Sequence, residues 1–337
     1  MIAQLNPLYI KTRPRKVWSR LISYALFEGR PLTTKGRWIN PLVFAHFAFE
    51  KRLPQLKKVK KPIFIVGTGR SGSTILGMVM SMHKHVGFLN EPKALWHSIY
   101  AKEDLIGNYS ADKAHYRLCA EDATDDVKRF AHRLFGIYLV ASFSKRVIDK
   151  YPELITRVPF VKAIFPDAKF LFLVRNGMDC AISIDWWSQR HGIEKEHEIH
   201  DWWGFNNRKW KLLMEQIVST DPAFTDILDD VKHLKLHIDK AIVEWITMMR
   251  EGLSLLESIP DSVMMVRFEK LTKDPSNVLR DILQFCELPG DQTFLDYGCR
   301  VLYSVPSREQ LDIHPSLRSL FNQTMKSLGY ETATLYT

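Results

Sequence analysis

Cysteine is scarce in this chain of 337 residues, and its four occurrences are placed to exclude most of what cysteine does. Cys119, Cys180, Cys286 and Cys299 show no C-x-x-C or Cys/His ligand spacing. Neither a zinc site nor a disulfide framework is suggested, and a reducing compartment fits. Long apolar runs are missing too: none reaches the roughly 18 to 20 residues that span a bilayer. The N-terminus carries no basic-then-apolar leader pattern. There is no internal repeat and no low-complexity tract. These absences leave a globular chain of ordinary composition, cytoplasmic by default. It is long enough for one large α/β domain or two small ones, either with a substantial core.

Acidic residues are nearly absent from one stretch. Residues 1 to 61 hold 14 Lys or Arg against only Glu28 and Glu50, whereas the rest of the chain has a small excess of acid. Aromatic and aliphatic residues interleave these bases, as in "RKVWSRLISYALF" and "WINPLVFAHFAFEKRL". Such segments either lie on an anionic membrane surface, here the inner face, or pack a helix against the main domain; packing is the favoured reading. No nucleic-acid module accompanies the charge, so no nucleic-acid partner is expected. The expected division is a basic, helical, amphipathic extension over 1–60, closed by "LPQLKKVKK", and one domain over 61–332.

From Pro62 onward, short apolar strands alternate with longer helical stretches. That predicts an α/β fold with a central, mostly parallel sheet flanked by helices. "PIFIV" (62–66), "AKFLFLV" (168–174) and "SVMMVRF" (262–268) read as strands. Helices are expected over 74–83, 124–143, 178–190, 237–258 and 275–287, with a last one ending at Gly329.

The most informative run, "KKPIFIVGTGRSGSTILGMVMSMHKHVGFLNEP" (60–92), is defined by what its turn lacks. A strand, a glycine-rich turn from Gly67 to Gly72 and a helix from Thr74 aim backbone N–H groups and a positive helix end at one anion. Against the pattern G-x-x-x-x-G-K-[ST], Gly67, Gly72 and Thr74 fit, but Ser73 stands where the lysine belongs. An ATP- or GTP-cleaving site uses that lysine on the outer phosphates, so this loop suits a smaller phosphate group, with Arg70 as its charge. A second run, "FPDAKFLFLVRNGMDCAISI" (165–184), lacks the strand-end aspartate that helps hold magnesium in such folds. Its strand ends in Arg175, facing the crevice where α/β sheets bind ligands. Ser183 lies eight residues on, about two helical turns, and the pair suits a second phosphate. The alternative is that Arg175 makes a surface ion pair and Ser183 caps or solvates a helix.

Two separated phosphate sites, with neither lysine nor magnesium carboxylate, describe a nucleotide with a ribose phosphate and a short 5′ chain. "IFIVGTGRSGST" together with "FPDAKFLFLVRNGMDCAIS" resembles the sulfotransferases that use 3′-phosphoadenosine 5′-phosphosulfate. The resemblance runs from about Pro62 to Tyr330, and "MMVRFEKLTKDPSNVLRDILQFCEL" is similar to that family's late strand–loop–helix. It implies the P-loop NTPase-like fold of the sulfotransferases for 61–332, without a metal. It also implies that Arg70, Ser71, Gly72, Ser73 and Thr74 bind the 5′-phosphosulfate, and that Arg175 and Ser183 bind the 3′-phosphate. Glu91, 21 residues after Arg70 in "LNEP", is then the base, as in the glutamate-base protein-tyrosine and glycan sulfotransferases. His97 is the rival base, while His83 and His85 are expected to finish the first helix and its turn. Lys150, in "VIDKYPEL", matches a family segment whose lysine stabilises the leaving phosphate; the alternative is a solvated loop lysine.

At the C-terminus the chain departs from the small-molecule enzymes of that family, because it has no glycine-rich R-K-G segment. "YSVPSREQ" (303–310) is the expected substitute, with Ser304, Ser307 or Arg308 closing over the nucleotide. Acceptor recognition is expected among Trp186, Trp187, Trp202, Trp203 and Trp210, of which roughly half belong in the core. The expected activity is in-line sulfonyl transfer to a hydroxyl of a carbohydrate, glycolipid or other metabolite. A magnesium-dependent nucleotide kinase or NTPase-like phosphotransferase, and a non-catalytic nucleotide-binding scaffold, are the alternatives. A G-x-S-x-G hydrolase is excluded, since Ser73 occupies the second glycine position.

Overall fold

The computed structural model describes residues 4–195, 197–304, 306 and 312–330. Among them, β1 (Ile63–Gly67), β2 (Val86–Asn90), β3 (Arg146–Lys150) and β4 (Lys169–Val174) come first. A small antiparallel sheet of β5 (Ile193–Lys195), β6 (Glu198–Asp201) and β7 (Gly204–Phe205) follows, and β8 (Val263–Arg267) is last. The main sheet runs β2–β3–β1–β4–β8, with every neighbouring pair parallel. This is the expected α/β architecture. β2 and β3 stand out less in the sequence because glycine and asparagine interrupt the apolar run in "VGFLN" and only two of the five residues of "RVIDK" are apolar.

The central strands β1 and β4 are apolar apart from Lys169 because both sheet faces are covered. Successive side chains point to opposite faces, and the core divides accordingly. Ile63, Ile65, Leu171 and Leu173 join one cluster, with helices Ser73–Ser81, Pro275–Phe285 and Gln292–Val301. Phe64, Val66, Phe170 and Phe172 join the other, with helices Asp125–Ala141, Gly177–His191 and His237–Ser258. The expected helices form, and their starts are set by capping: Thr124 accepts from the Val127 N–H (3.4 Å) and Asn176 from the Met178 N–H (2.9 Å). No helix among the described residues is long and apolar enough to cross a membrane.

The basic N-terminal segment closes the edge of this sheet. Helix Arg15–Ile22 is turned inside out, with Lys16 and Arg20 buried while Trp18 is 54% exposed. The reason lies in β2, an edge strand whose outward carbonyls need donors. Lys16 Nζ donates to the Val86 carbonyl and Arg20 Nη1 to the Phe88 carbonyl, each at 2.5 Å. The spacing matches: four helical residues rise about 6 Å, and two strand residues about 6.6 Å. Glu28 completes the edge, accepting from the Asn90 N–H (2.9 Å) and from Arg20 (2.8 Å). The inner side of this segment therefore packs on the domain, as the favoured reading expects.

Candidate functional site

Four loops leave the carboxyl ends of β1, β2, β3 and β4 and converge where the strand order reverses about β1, the crevice such sheets use for ligands. After β1, Gly72 precedes helix Ser73–Ser81 with φ +93°, and a Cβ there would lie 2.3 Å from the Phe268 ring. Only glycine meets both demands. The Ser71 hydroxyl donates to the Thr68 carbonyl at 2.8 Å, tightening the turn. The Thr68 hydroxyl is buried without a hydrogen-bond partner. An orphaned hydroxyl beside a helix N-terminus suits a phosphate oxygen. Ser73 is buried and Thr74 exposed at that helix start.

The residues expected at two separated phosphates are in direct contact. Arg70 Nε donates to Ser183 Oγ at 3.0 Å, and Arg175 Nη1 donates to the Arg70 carbonyl at 3.3 Å. Arg175 also lies over the Phe268 ring (4.8 Å) and faces Asp179 at 3.6 Å, an ion pair that is largely buried where the alternative expected one at the surface. Burial is the main cause holding the Arg70 guanidinium below its usual range; Glu91 opposes this and Arg175 adds to it.

Glu91 follows β2 directly. Its N–H donates to the Lys150 carbonyl at 2.7 Å, and its carboxylate contacts the Lys150 ammonium. Lys93 Nζ stands 3.7 Å from the other carboxylate oxygen. Lys150 is the last residue of a buried strand rather than a solvated loop lysine. Burial pushes the Glu91 carboxyl up, but Lys150 and Lys93 outweigh it and hold the group below the ordinary carboxylate range. Arg70 (φ +64°) and Glu91 (φ +50°) are both left-handed without being glycine. Such backbone costs on the order of 1–3 kcal/mol each and persists where the surroundings enforce it, as at binding and catalytic sites.

Glu91, Lys150, Thr74 and Gly69 line a cavity of about 390 Å³. The N-terminal segment supplies more of its lining through Tyr24 and residues 28–34, with Asn108, Trp187 and Trp202 also facing in. Two buried amide atoms at this cavity, Asn90 Oδ1 and Asn108 Nδ2, have no hydrogen-bond partner. An ion chain borders it, with its first three members among the lining residues: Lys93 to Glu153 (3.5 Å), Glu153 to Lys209 (3.4 Å), Lys209 to Glu244 (2.5 Å). The Trp202 indole N–H donates to Glu244 at 2.7 Å, and the ring lies against Gly69, where a Cβ would come within 2.3 Å of it. Trp187 stands edge-on to Trp202 at 5.6 Å. Trp203 and Trp210 are core residues, and Trp186 is exposed.

His97 packs against Phe44 and Tyr109 (ring centroids 5.9 and 5.4 Å) and is not among the cavity-lining residues. His83 and His85 close the turn after the first helix: the His85 N–H donates to His83 Nδ1 (3.2 Å), so His83 Nε2 carries the proton and donates to the Pro289 carbonyl (2.9 Å). Ser304 is exposed and does not line the cavity. Ser307 and Arg308 lie outside the described residues. Lys93, Glu153, Lys209 and Glu244 had escaped sequence reasoning, because no short spacing joins them. Glu28 did carry a signal, being one of two acids in a basic stretch.

Residues 62–227 match the model of the sulfotransferase family. A protein of Aquifex aeolicus (strain VF5) is 26% identical over 250 residues, covering 71% of this chain and 27% of that protein. The protein-tyrosine sulfotransferase of Drosophila melanogaster is 24% identical over 238 residues, covering 70% of this chain and 40% of that enzyme. The chain thus spans well under half the length of either relative. Among solved structures, a sulfotransferase of Mycobacterium avium shares the fold, with a TM-score of 0.51 over 97% of both chains at 12% identity.

Proposed function

This chain belongs, through residues 62–227, to the sulfotransferase family, and we propose that it transfers a sulfonyl group from 3′-phosphoadenosine 5′-phosphosulfate to a hydroxyl of a carbohydrate, glycolipid or similar polar metabolite. The observation that carries this reading is the Glu91–Lys150 pair lining the same cavity as Gly69 and Thr74 of the phosphate loop. The donor supplies the sulfonyl group and leaves as 3′,5′-diphosphoadenosine.

The residues divide the work. The turn Arg70–Thr74 and the N-terminus of helix Ser73–Ser81 receive the 5′-phosphosulfate, and the unpartnered Thr68 hydroxyl supports that fit. Arg175 and Ser183 receive the 3′-phosphate. Glu91 accepts the proton of the attacking hydroxyl, whose oxygen bonds to sulfur as the bond from sulfur to the phosphate oxygen breaks. Lys150 stabilises the charge that develops on that oxygen. The two roles are linked: an ammonium drawn toward the leaving phosphate releases Glu91, whose proton affinity then rises as the proton arrives. Ser304 and Arg308 are retained only as candidates for closing over the nucleotide.

Support for a polar, hydroxylated acceptor comes from the cavity itself. The amide side chains of Asn90 and Asn108 and the indoles of Trp187 and Trp202 are all among its lining residues, a mixture of polar and aromatic groups that suits a sugar. The test is calorimetric titration of the protein with 3′,5′-diphosphoadenosine and with ATP, then transfer assays with radiolabelled donor across glycan and glycolipid acceptors. Tighter binding of the diphosphoadenosine, indifferent to EDTA, and a labelled product are expected. Tighter, magnesium-dependent ATP binding would replace this reading with a phosphotransferase.

A further inference from the structure

The outer side of helix Asn40–Glu50 is apolar and uncovered. Its exposed residues are Pro41, Leu42, Ala45, Ala48 and Phe49, spaced by helical turns along one side, while Val43, Phe47 and Glu50 face inward. Leu42 is 65% and Phe49 61% exposed, and Trp38, in the preceding turn Lys35–Ile39, is 73% exposed. No polar side chain interrupts that helix side. A contiguous surface of this kind marks an interaction site.

The exposed charge of this segment has one sign. Lys35, Arg37 and Arg52 are exposed, and the only acid from 35 to 52, Glu50, is buried against His46 Nε2 at 2.9 Å. A second copy of the chain would bring like charges together, and a protein partner would be expected to meet a rim of mixed polarity. Aromatic and aliphatic side chains in a segment whose exposed charges are all cations match a bilayer, with the apolar groups at the acyl boundary and the cations on the lipid phosphates. We propose that the face from Trp38 to Phe49 docks this protein on an anionic lipid surface. Helix Arg15–Ile22 is not the docking element, because two of its three cations, Lys16 and Arg20, are committed to the sheet edge. Thr34, which is exposed and lines the cavity, is four residues from Trp38, so at most about 14 Å of chain separates cavity and docking face. The docking stands apart from the transfer reaction and is read without donor or acceptor.

The experiment is flotation of the full chain on vesicles of equal phosphatidylglycerol and phosphatidylcholine, and on phosphatidylcholine alone. Recovery on the anionic vesicles alone is expected, falling at least tenfold in the double variant Leu42→Glu/Phe49→Glu. Lys35→Glu/Arg37→Glu should weaken binding and its salt dependence. Circular dichroism and melting of all variants should match the parent, as the changed side chains are exposed. Quenching of tryptophan emission by brominated lipid, reduced in Trp38→Phe, gives a second readout. Absence of binding to the anionic vesicles overturns the proposal, as does equal recovery of parent and Leu42→Glu/Phe49→Glu. A dimer in sedimentation velocity that this variant dissociates, without vesicle binding, assigns the face to a second copy instead.

Discussion

Two non-glycine residues of the site, Arg70 and Glu91, are held in left-handed backbone, and each is enforced by its neighbours rather than by its own preference. Arg70 is fixed by Ser183 and Arg175, and Glu91 by the Lys150 carbonyl and ammonium. Replacing Glu91 by Gln keeps the shape and removes the proton acceptor. A loss in kcat of about 10²- to 10⁴-fold is expected, with diphosphoadenosine affinity unchanged. Steady-state kinetics beside calorimetry checks it, and near-parent turnover would remove Glu91 from its role. Gly72→Ala tests the loop: with φ +93° and Phe268 in the way, a cost of roughly 1–3 kcal/mol is expected. Urea unfolding measures that cost, and titration should show weakened nucleotide binding. Arg70, Thr74, Arg175 and Ser183 were legible because strand, turn and helix start are encoded by adjacent residues. The cavity role of Lys93 was not, since its partners Glu91 and Glu153 are assembled from different loops.

At the scale of elements, buried charge ties the loops together. Glu153, after β3, is shared by Lys93 at the start of helix Lys93–Ile99 and by Lys209 of helix Arg208–Gln216. Burial would raise the Glu153 carboxyl, but the two ammonium groups hold it well below the ordinary range. Glu153→Ala leaves both cations without their shared partner, and a loss of about 3–5 kcal/mol is expected. The unfolding midpoint in urea reports it; a change under 1 kcal/mol would show that the chain contributes little. The same logic explains the N-terminal segment, whose composition suggested a basic amphipathic helix packed on the domain. Lys16 and Arg20 face inward because an edge strand offers carbonyls and no neighbouring strand to satisfy them.

For the whole molecule, the buried ionisable groups set a pH dependence whose signs differ. Burial chiefly lowers His83 to about 4, so its contribution is complete above pH 6.5 and is lost as the pH falls toward 4. Glu103, raised mainly by burial to about 7, acts oppositely: its contribution is complete below pH 4.5 and is lost as the pH rises to 7. The two nearly cancel between pH 4.5 and 6.5, so a variant must isolate one. His83→Gln should remove an acid-side loss of roughly 3 kcal/mol, read as the parent-minus-variant difference in unfolding free energy between pH 7 and 4. A difference that stays constant with pH would contradict it. At this scale the division of information is clear. The sequence alone determined the strands β1, β4 and β8, the long helices, the phosphate turn and its missing lysine, because hydrophobic periodicity and turn chemistry act between neighbours. Only the tertiary structure decided that Glu91 would meet Lys150, that Trp202 would cover Gly69, and that the N-terminal cations would serve the edge of the sheet. Those pairings join residues far apart in the chain, and burial, packing and the demand of unpaired carbonyls select them.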